Sequence, residues 1–310
     1  MPHVYRLEDV QPSAPTVLAV GVFDGVHIGH QALLRELVAR ARGRDCTPAV
    51  LTFHPHPDVV LGHVSGRFYL TTPPQRAELL AELGVELIVT HPFDEQVRRM
   101  RAAAFVERLV RHLRVCELWV GADFALGYKR EGNVAFLRAQ GAEHGFAVRA
   151  VELLVSDGNG QVVSSSGVRE ALRAGDVERA TRWLGRPYRL EGEVVHGDMR
   201  GRTIGFPTAN LDVWEEQLLP AEGVYAGWAH LGGETLMAVA NIGSRPTFDH
   251  GVVTVEVYLL DFDRDIYGAR LAFDVVARLR AERKFASVDA LVAQIGRDVE
   301  RARVLLERAE

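Results

Sequence analysis

Two histidines, His27 and His30, bracket Gly29 in the run Gly21-Val22-Phe23-Asp24-Gly25-Val26-His27-Ile28-Gly29-His30. An apolar stretch, Thr16 to Val22, precedes them, and a helical pattern follows in which Leu33, Leu34, Leu37, Val38 and Ala41 share one face. Glycines between a strand and a helix let the backbone approach a phosphate, and the helix start offers free N–H groups and a positive dipole end. Imidazoles at that point can donate hydrogen bonds to phosphate oxygens as charge builds in a transition state. The bland alternative is an ordinary turn with two surface histidines; the strand–glycine–helix setting favours a nucleotide site. Neither GxxxxGK[ST] nor GxGxxG occurs, and neither lysine of the chain, Lys129 or Lys284, follows a P-loop turn. ATP bound here would rest on histidines and backbone.

Two further clusters carry chemistry. His196-Gly197-Asp198-Met199-Arg200-Gly201-Arg202-Thr203-Ile204-Gly205-Phe206-Pro207-Thr208-Ala209-Asn210 follows the strand pattern Tyr188–Val195. A glycine loop of this kind can fold over phosphates, and the Thr208 hydroxyl and Asn210 carbonyl can face one hard cation such as Mg2+. From these residues alone, a polar hairpin loop on a barrel is an equally good account. Ser164-Ser165-Ser166-Gly167-Val168-Arg169 sets hydroxyls and an arginine at the start of a short helix, which suits a triphosphate and could equally be a cap.

The elements that must position these groups change character near residue 185. Before it, strand candidates Thr16–Val22, Ala49–Phe53, Leu87–Thr90, Leu118–Gly121 and Phe146–Leu154 alternate with helical patterns around Pro74–Leu83, Ala102–Leu113 and Val134–His144. Such alternation implies a parallel sheet covered by helices on both faces, with ligands at the carboxyl ends of the strands. Short helices at Val168–Arg173 and Val177–Leu184 are expected to close this half, giving domains 1–184 and 185–310. After Gly185-Arg186-Pro187, the stretches Tyr188–Val195, Val224–Trp228, Leu236–Ile242, Val252–Leu260 and Arg270–Leu279 read as strands, several with period-two alternation. They predict a small antiparallel barrel or sandwich. A last helix is predicted from the N-cap Ser287, with Leu291, Ile295, Val299 and Ala302 as its buried stripe.

Composition removes several function classes. The 310 residues are 47% apolar, enough for a sizeable core, and the formal charge of -5 argues against a general nucleic-acid coat. No apolar run reaches the roughly 20 residues that cross a bilayer. The first residues show no signal-peptide pattern, and the two cysteines, Cys46 and Cys116, cannot supply a disulfide framework or a four-thiolate zinc site. A cytoplasmic metabolic protein is expected, with small-molecule partners and neither nucleic acid nor membrane. Only two of the 36 basic residues are lysine, a skew best explained by GC-rich coding.

The HxGH pattern resembles the nucleotidyltransferase superfamily and the core of class I aminoacyl-tRNA synthetases, though the synthetases' lysine-rich loop is absent here. The stretch Gly205-Phe206-Pro207-Thr208-Ala209-Asn210 resembles the riboflavin kinase signature. Together the two are similar to the bacterial bifunctional riboflavin kinase/FMN adenylyltransferase family. Matching stretches elsewhere include Phe53-His54-Pro55-His56-Pro57, Leu70-Thr71-Thr72-Pro73, Val120-Gly121-Ala122-Asp123-Phe124, Asn241 to Phe248, Glu256, Leu260-Asp261-Phe262 and Tyr267-Gly268.

This resemblance implies that the second domain phosphorylates riboflavin with ATP to give FMN. The first would then join FMN to the AMP of a second ATP, giving FAD and pyrophosphate. It implies His27, His30 and Arg169 as catalytic groups on the ATP phosphates, with Ser165 and Ser166 assisting. Gly21, Phe23, Asp24, Gly25 and Gly29 would shape that ATP pocket, and Phe53, Pro55, Pro57 and Asp123 the flavin side. In the kinase half it implies Gly201, Arg202 and Gly205 on ATP, Thr208 and Asn210 on Mg2+, and Glu256 as the base for the riboflavin hydroxyl. The chain departs from the pattern at Tyr258, where many relatives have histidine, and at Asn133 and Ser166, where aspartate and threonine are usual. Two other readings stay open: a nucleotidyltransferase for a different substrate with the β domain as a binding module, and a synthetase-like RNA-binding protein.

Overall fold

The apolar run beginning at Thr16 forms a strand buried at all five of its positions, which requires a sheet covered on both faces. The computed structural model describes residues 3–152, 156, 160–197, 201, 204–244 and 253–308. It divides into two units, Met1–Gly66 with Thr71–Ser164, and Arg67–Leu70 with Ser165–Glu310.

In the first unit, strands β1 (His3–Val4), β2 (Thr16–Val20), β3 (Thr47–His54), β4 (Leu87–Pro92) and β5 (Val115–Gly121) are followed by the short pair β6 (Ala125–Leu126) and β7 (Gly132–Asn133), then by β8 (Ala147–Val151). Between them run α1 (Ile28–Arg42), α2 (Pro57–Val60), α3 (Pro73–Glu82), α4 (Glu95–Arg99), α5 (Ala102–Leu113) and α6 (Val134–His144). The main sheet has the order β1-β4-β3-β2-β5-β8, and every pairing in it is parallel. Strand alternation then builds two cores. Leu18, Val20, Leu51 and Val89 meet Phe105, Val106 and Leu109 of α5. Val17, Ala19, Val50 and Ile88 meet Leu34 and Leu37 of α1 and Leu80 of α3. Truncating a fully buried leucine such as Leu34 or Leu37 to alanine costs about 2–5 kcal/mol, so these faces hold the strands in register.

The second unit contains α7 (Ser165–Ala174), α8 (Val177–Leu184), strands β9 (Tyr188–Val195), β10 (Ala209–Val213), β11 (Gly223–Leu231), β12 (Glu234–Ser244), β13 (Val253–Leu259) and β14 (Arg270–Ala281), and α9 (Val288–Glu307). The strands close a barrel in the order β10-β13-β12-β11-β14-β9, all antiparallel, so the barrel rather than the sandwich form is realised. Ala209–Val213 joins it as a strand; the sequence pattern puts Ala209 and Asn210 at the end of the glycine loop and assigns no element to residues 211–213. Ser287 caps α9 as predicted, its hydroxyl accepting from Ala290 N. The predicted stripe is split: Ala302, with Leu306, is buried in a cluster against the barrel, whereas Leu291 and Ile295 border a cavity.

Packing divides the chain after Ser164, whereas the sequence pattern suggested residue 184. The physical reason lies in α7 and α8, whose Val168, Leu172, Val177, Ala180, Trp183 and Leu184 are all buried within the second unit. Gly167 is required there, because a Cβ would stand 2.0 Å from the Trp183 ring. The short segment Arg67–Leu70 also belongs to the second unit: Phe68 N and Tyr69 N donate to Glu216 O, and Leu218 N donates to Tyr69 O.

Candidate active sites

The order of the sheet reverses between β2 and β5, and a cavity of about 610 Å3 opens at the carboxyl ends of those strands. Ligands of open α/β sheets collect at such a switch point. Of the residues singled out from sequence, Gly21, Phe23, His30, Phe53, Pro57 and Asp123 line it. Phe53 stacks edge-on to Phe93 at 5.7 Å between centroids and lies 6.3 Å from Phe105, so one wall is aromatic. Pro55 does not border the cavity, nor do Asp24, Gly25, His27 and Gly29.

The two histidines have different places. His27 is buried and caps α1, its Nδ1 accepting from His30 N at 3.3 Å. A neutral imidazole that accepts at Nδ1 carries its proton on Nε2. His30 stacks on His27 with 3.6 Å between ring centroids and faces the cavity, while its Nδ1 is buried without a hydrogen-bond partner. Burial, then His27 and the Arg76 guanidinium, hold its pKa well below the usual histidine value. His30 is therefore neutral at pH 7, and an anionic ligand beside it would favour its protonated form.

Beneath the loop lies a polar support. Asp24, 1% exposed, accepts from Thr71 N and from Thr71 Oγ1, both at 3.1 Å, and Gly25 N donates to the same hydroxyl at 3.3 Å. The equally buried Arg76 sits 3.9 Å from Asp24 and donates to Val22 O and to Thr52 Oγ1. Asp24 thus holds the loop from below. Phe23, Gly25 and Val26 all take positive φ (52°, 79° and 42°), a backbone that such fixing can sustain.

Ser165, Ser166 and Arg169 lie in the first turns of α7, inside the second unit. Arg169 is buried, donates to Phe68 O at 2.9 Å and lies 3.8 Å over the Phe68 ring.

The barrel carries a second cavity, of about 350 Å3, between its outer face and α9. Strand register explains who lines it. Asn210 on β10 is paired with Glu256 on β13, and Glu256 with Asn241 on β12; Asn241 is paired in turn with Val224, and Val224 with Arg280. Residues directly opposite in a ladder point to the same face. Their neighbours Val255, Val257, Ala240 and Ile242 point the other way and are buried. Glu256, Asn241, Val224 and Arg280 all line the cavity, together with Gly201, Phe206 and Thr208. Gly201 is needed because a Cβ there would stand 2.3 Å from Phe206 O, and Gly205 takes a φ of +85°. Arg202 lies outside the described residues, as do 245–248 of the matching stretch.

Thr208, which lines the cavity, and Asn210 on β10 carry oxygens of the kind a divalent cation takes. A Cβ on Gly197 would lie 2.1 Å from Asn210 Nδ2 and 2.6 Å from its Oδ1, and one on Gly201 would lie 3.2 Å from Thr208 Oγ1, so the two glycines let the loop pass close to both side chains. Neutral oxygens suit Mg2+, which keeps waters and substrate phosphates as its remaining ligands. Among the described residues no three His, Cys, Asp or Glu side chains converge as a complete site of their own.

Several lining residues were missed from sequence. In the first cavity these are Arg98 of the short helix α4, Met100 just after it, and Tyr128, Lys129 and Arg130 between β6 and β7, none in a stretch long enough to show periodicity. In the second they are Asn241, Arg280, Glu282, Arg283 and Phe285. Asn241 breaks the apolar alternation of its strand between Ala240 and Ile242, a signal that could have found it. Burial, and then Glu222, raise the pKa of Glu282 above the usual carboxyl value.

An α/β unit with an HxGH turn at its switch point, joined to a barrel with a glycine loop and a carboxylate, defines a two-site ATP-dependent transferase. A riboflavin kinase family model matches residues 184–306, and an FAD synthetase model matches residues 9–167. The bifunctional riboflavin kinase/FMN adenylyltransferase of Listeria monocytogenes is 40% identical over 296 residues, covering 95% of this chain and 93% of that protein. The Escherichia coli K12 protein of the same description is 40% identical over 289 residues, covering 93% and 91%. A Streptococcus pneumoniae crystal structure described as a macrolide-efflux protein is similar with a TM-score of 0.87 at 31% identity, over 97% of this chain and 98% of its own. No helix among the described residues here is long and apolar enough to cross a membrane. The chain belongs to the bifunctional riboflavin kinase/FMN adenylyltransferase family. It makes FMN from riboflavin and ATP in its C-terminal part, and FAD from FMN and ATP in its N-terminal part.

Proposed function

We propose that the barrel cavity is the kinase site and that Glu256 is its base. The observation that supports this most is the row Asn210–Glu256–Asn241, which sets a carboxylate between two amides at the edge of the glycine loop. The nucleophile is the riboflavin hydroxyl, and a positioned carboxylate accepts its proton as the bond to phosphorus forms. Gly201 and Gly205 give the loop a backbone that can close on ATP, and Arg202 adds a cation. Thr208 and Asn210 would hold Mg2+, which when bound offsets the charge of the ATP phosphates.

FMN adenylylation takes place at the carboxyl ends of β2 and β5. The FMN phosphate is already anionic, so no base is needed and positioning with charge stabilisation remains. His30 donates to the α-phosphate region of ATP, and His27 keeps His30 and the start of α1 in place. Gly21, Phe23, Gly25 and Gly29 shape the nucleotide pocket, with Asp24 supporting it from beneath. Phe53, Pro57 and Asp123 take the flavin side, with Pro55 shaping the connection between the first two. FMN adenylylation belongs to domain 1–184 and riboflavin phosphorylation to the barrel domain 185–310. Use of ATP in both steps supports a cytoplasmic location.

Incubating the protein with riboflavin, ATP and Mg2+ and separating the flavins over time tests the assignment. FMN followed by FAD is expected from the parent. Glu256→Gln should stop at riboflavin yet still convert added FMN, and His30→Ala should stop at FMN. An exchange of these two phenotypes would overturn the assignment of cavities to reactions.

A further inference from the structure

We propose that Cys46 and Cys116 form a reversible disulfide in the folded chain, an oxidative modification site separate from both catalytic cavities. Their sulfurs lie 3.1 Å apart although the residues are 70 positions apart in sequence. Cys46 immediately precedes β3, and Cys116 is the second residue of β5, so the pair sits at the amino ends of strands flanking β2. The cavity opens at the opposite, carboxyl ends.

A local irregularity brings the two thiols together. Thr16 pairs with Val115 and Val17 with Glu117, which leaves Cys116 as the extra residue of a bulge. In a regular strand Cys116 would share the face of Leu118 and Val120, which belong to the core under α5. Instead it packs with Cys46 and Trp119 on the α1 side. Bulges re-aim a side chain in this way. Both cysteines keep part of their surface exposed, so a small oxidant can reach them.

The chemistry balances with a peroxide as the oxidant. The Cys46 thiolate attacks one peroxide oxygen, the O–O bond breaks, and hydroxide leaves, giving a sulfenic acid. The Cys116 sulfur then attacks the Cys46 sulfur, the S–O bond breaks, and the thiol proton leaves with the oxygen as water. Two thiols and one hydrogen peroxide become one disulfide and two waters. Burial, and the Cys46 sulfur beside it, push the Cys116 thiol up to about 11, which suits Cys116 to the second, resolving step. Closing a long loop restricts the unfolded chain, so the oxidised form should be the more stable one.

The test uses the full chain, treated with hydrogen peroxide in its folded state, then denatured, alkylated and digested. The expected result is paired loss of both alkylation sites, a peptide cross-linked through Cys46 and Cys116, and recovery of both thiols with a reductant. The thermal midpoint of the first unit should rise by roughly 5–10 °C on oxidation. FMN-to-FAD conversion should persist, since the bridge lies at the far end of the sheet. Cys46→Ser and Cys116→Ser should each abolish the cross-linked peptide and the thermal shift. The idea is overturned if both thiols of the folded parent stay alkylatable, oxidise independently to sulfinic acids, or link separate chains instead. The cross-linked peptide of the parent is read whether or not either variant folds.

Discussion

In the α/β unit the glycine turn after β2 is held from below, by a buried carboxylate that answers to Thr71 and Arg76. In the barrel the glycine loop before β10 is held from the side, by close backbone approach at Gly201 and by the ladder that aligns Asn210 with Glu256 and Asn241. The first arrangement leaves an imidazole facing the cavity; the second leaves a carboxylate and an arginine. Under the proposed assignment of the two cavities, this difference would follow the nucleophiles. A phosphate that is already charged needs neutralisation, and a hydroxyl needs a proton acceptor.

Glu256→Gln should separate the two regions most sharply. Kinase kcat is expected to fall by about 10²–10⁴, the usual value of a positioned base, with riboflavin affinity nearly unchanged. Adenylylation of added FMN by the same preparation should match the parent, and a parent-like kinase kcat would return Glu256 to a structural role. His30→Ala is the mirror experiment. FAD formation should fall by about 10²–10³ while FMN still accumulates, and near-normal FAD synthesis would break the assignment.

Thr71→Val asks whether the support beneath the first loop is as local as it looks. The substitution keeps shape but removes the hydroxyl that serves both Asp24 and Gly25. A loss of about 1–3 kcal/mol is expected in the unfolding of the α/β unit, with riboflavin kinase activity intact. Equal loss in both activities would show that the support extends further than the loop.

The smallest effect is one of opposite signs. The His30 pKa lies below its unfolded value, as do those of His54 and His91, chiefly through burial. Stability from these groups is present above about pH 6.5 and is lost as pH falls through their folded values. Glu282 lies above its unfolded value, so its contribution is present at acid pH and is lost as pH rises through the folded value. Acidification from pH 7 toward 5 should weaken the α/β unit while slightly favouring the barrel. Hydrogen exchange at each pH can read the two separately, and His30→Ala and Glu282→Gln should each flatten one trend.

Much of this was legible in the sequence where local pattern carries the information. Apolar runs give β2 to β5, and Ser287 with the apolar spacing after it gives α9. The spacing of His27 and His30 marks a nucleotide turn, but not which ring faces the cavity. That depends on Nδ1 of His27 being committed to the start of α1. Asp24 reads as a pocket residue because its burial depends on Thr71, 47 positions away. Ala209–Val213 was hidden because only five residues follow a Gly- and Pro-rich loop, and its partners come from β9 and β13. The placement of Arg67–Leu70 in the second unit has no local signal at all, since it rests on backbone bonds to residues 216 and 218. Arg280 and Glu282 required the barrel register before they could be placed on the cavity that Glu256 also lines.

Helix α9 is one element with two environments along its length. Its later turns are fixed through Ala302 and Leu306 in an apolar cluster, while Leu291 and Ile295 near its start border an open cavity. In the free protein the cost of opening the helix is therefore graded from one end to the other. A bound substrate supplies neighbours to the first turns alone, and mass action adds its binding free energy to that end. Riboflavin with ADP should slow amide exchange over residues 288–298 and leave residues 300–306 where they were. The helix would then report occupancy of the kinase site through its own local stability, without any change of shape.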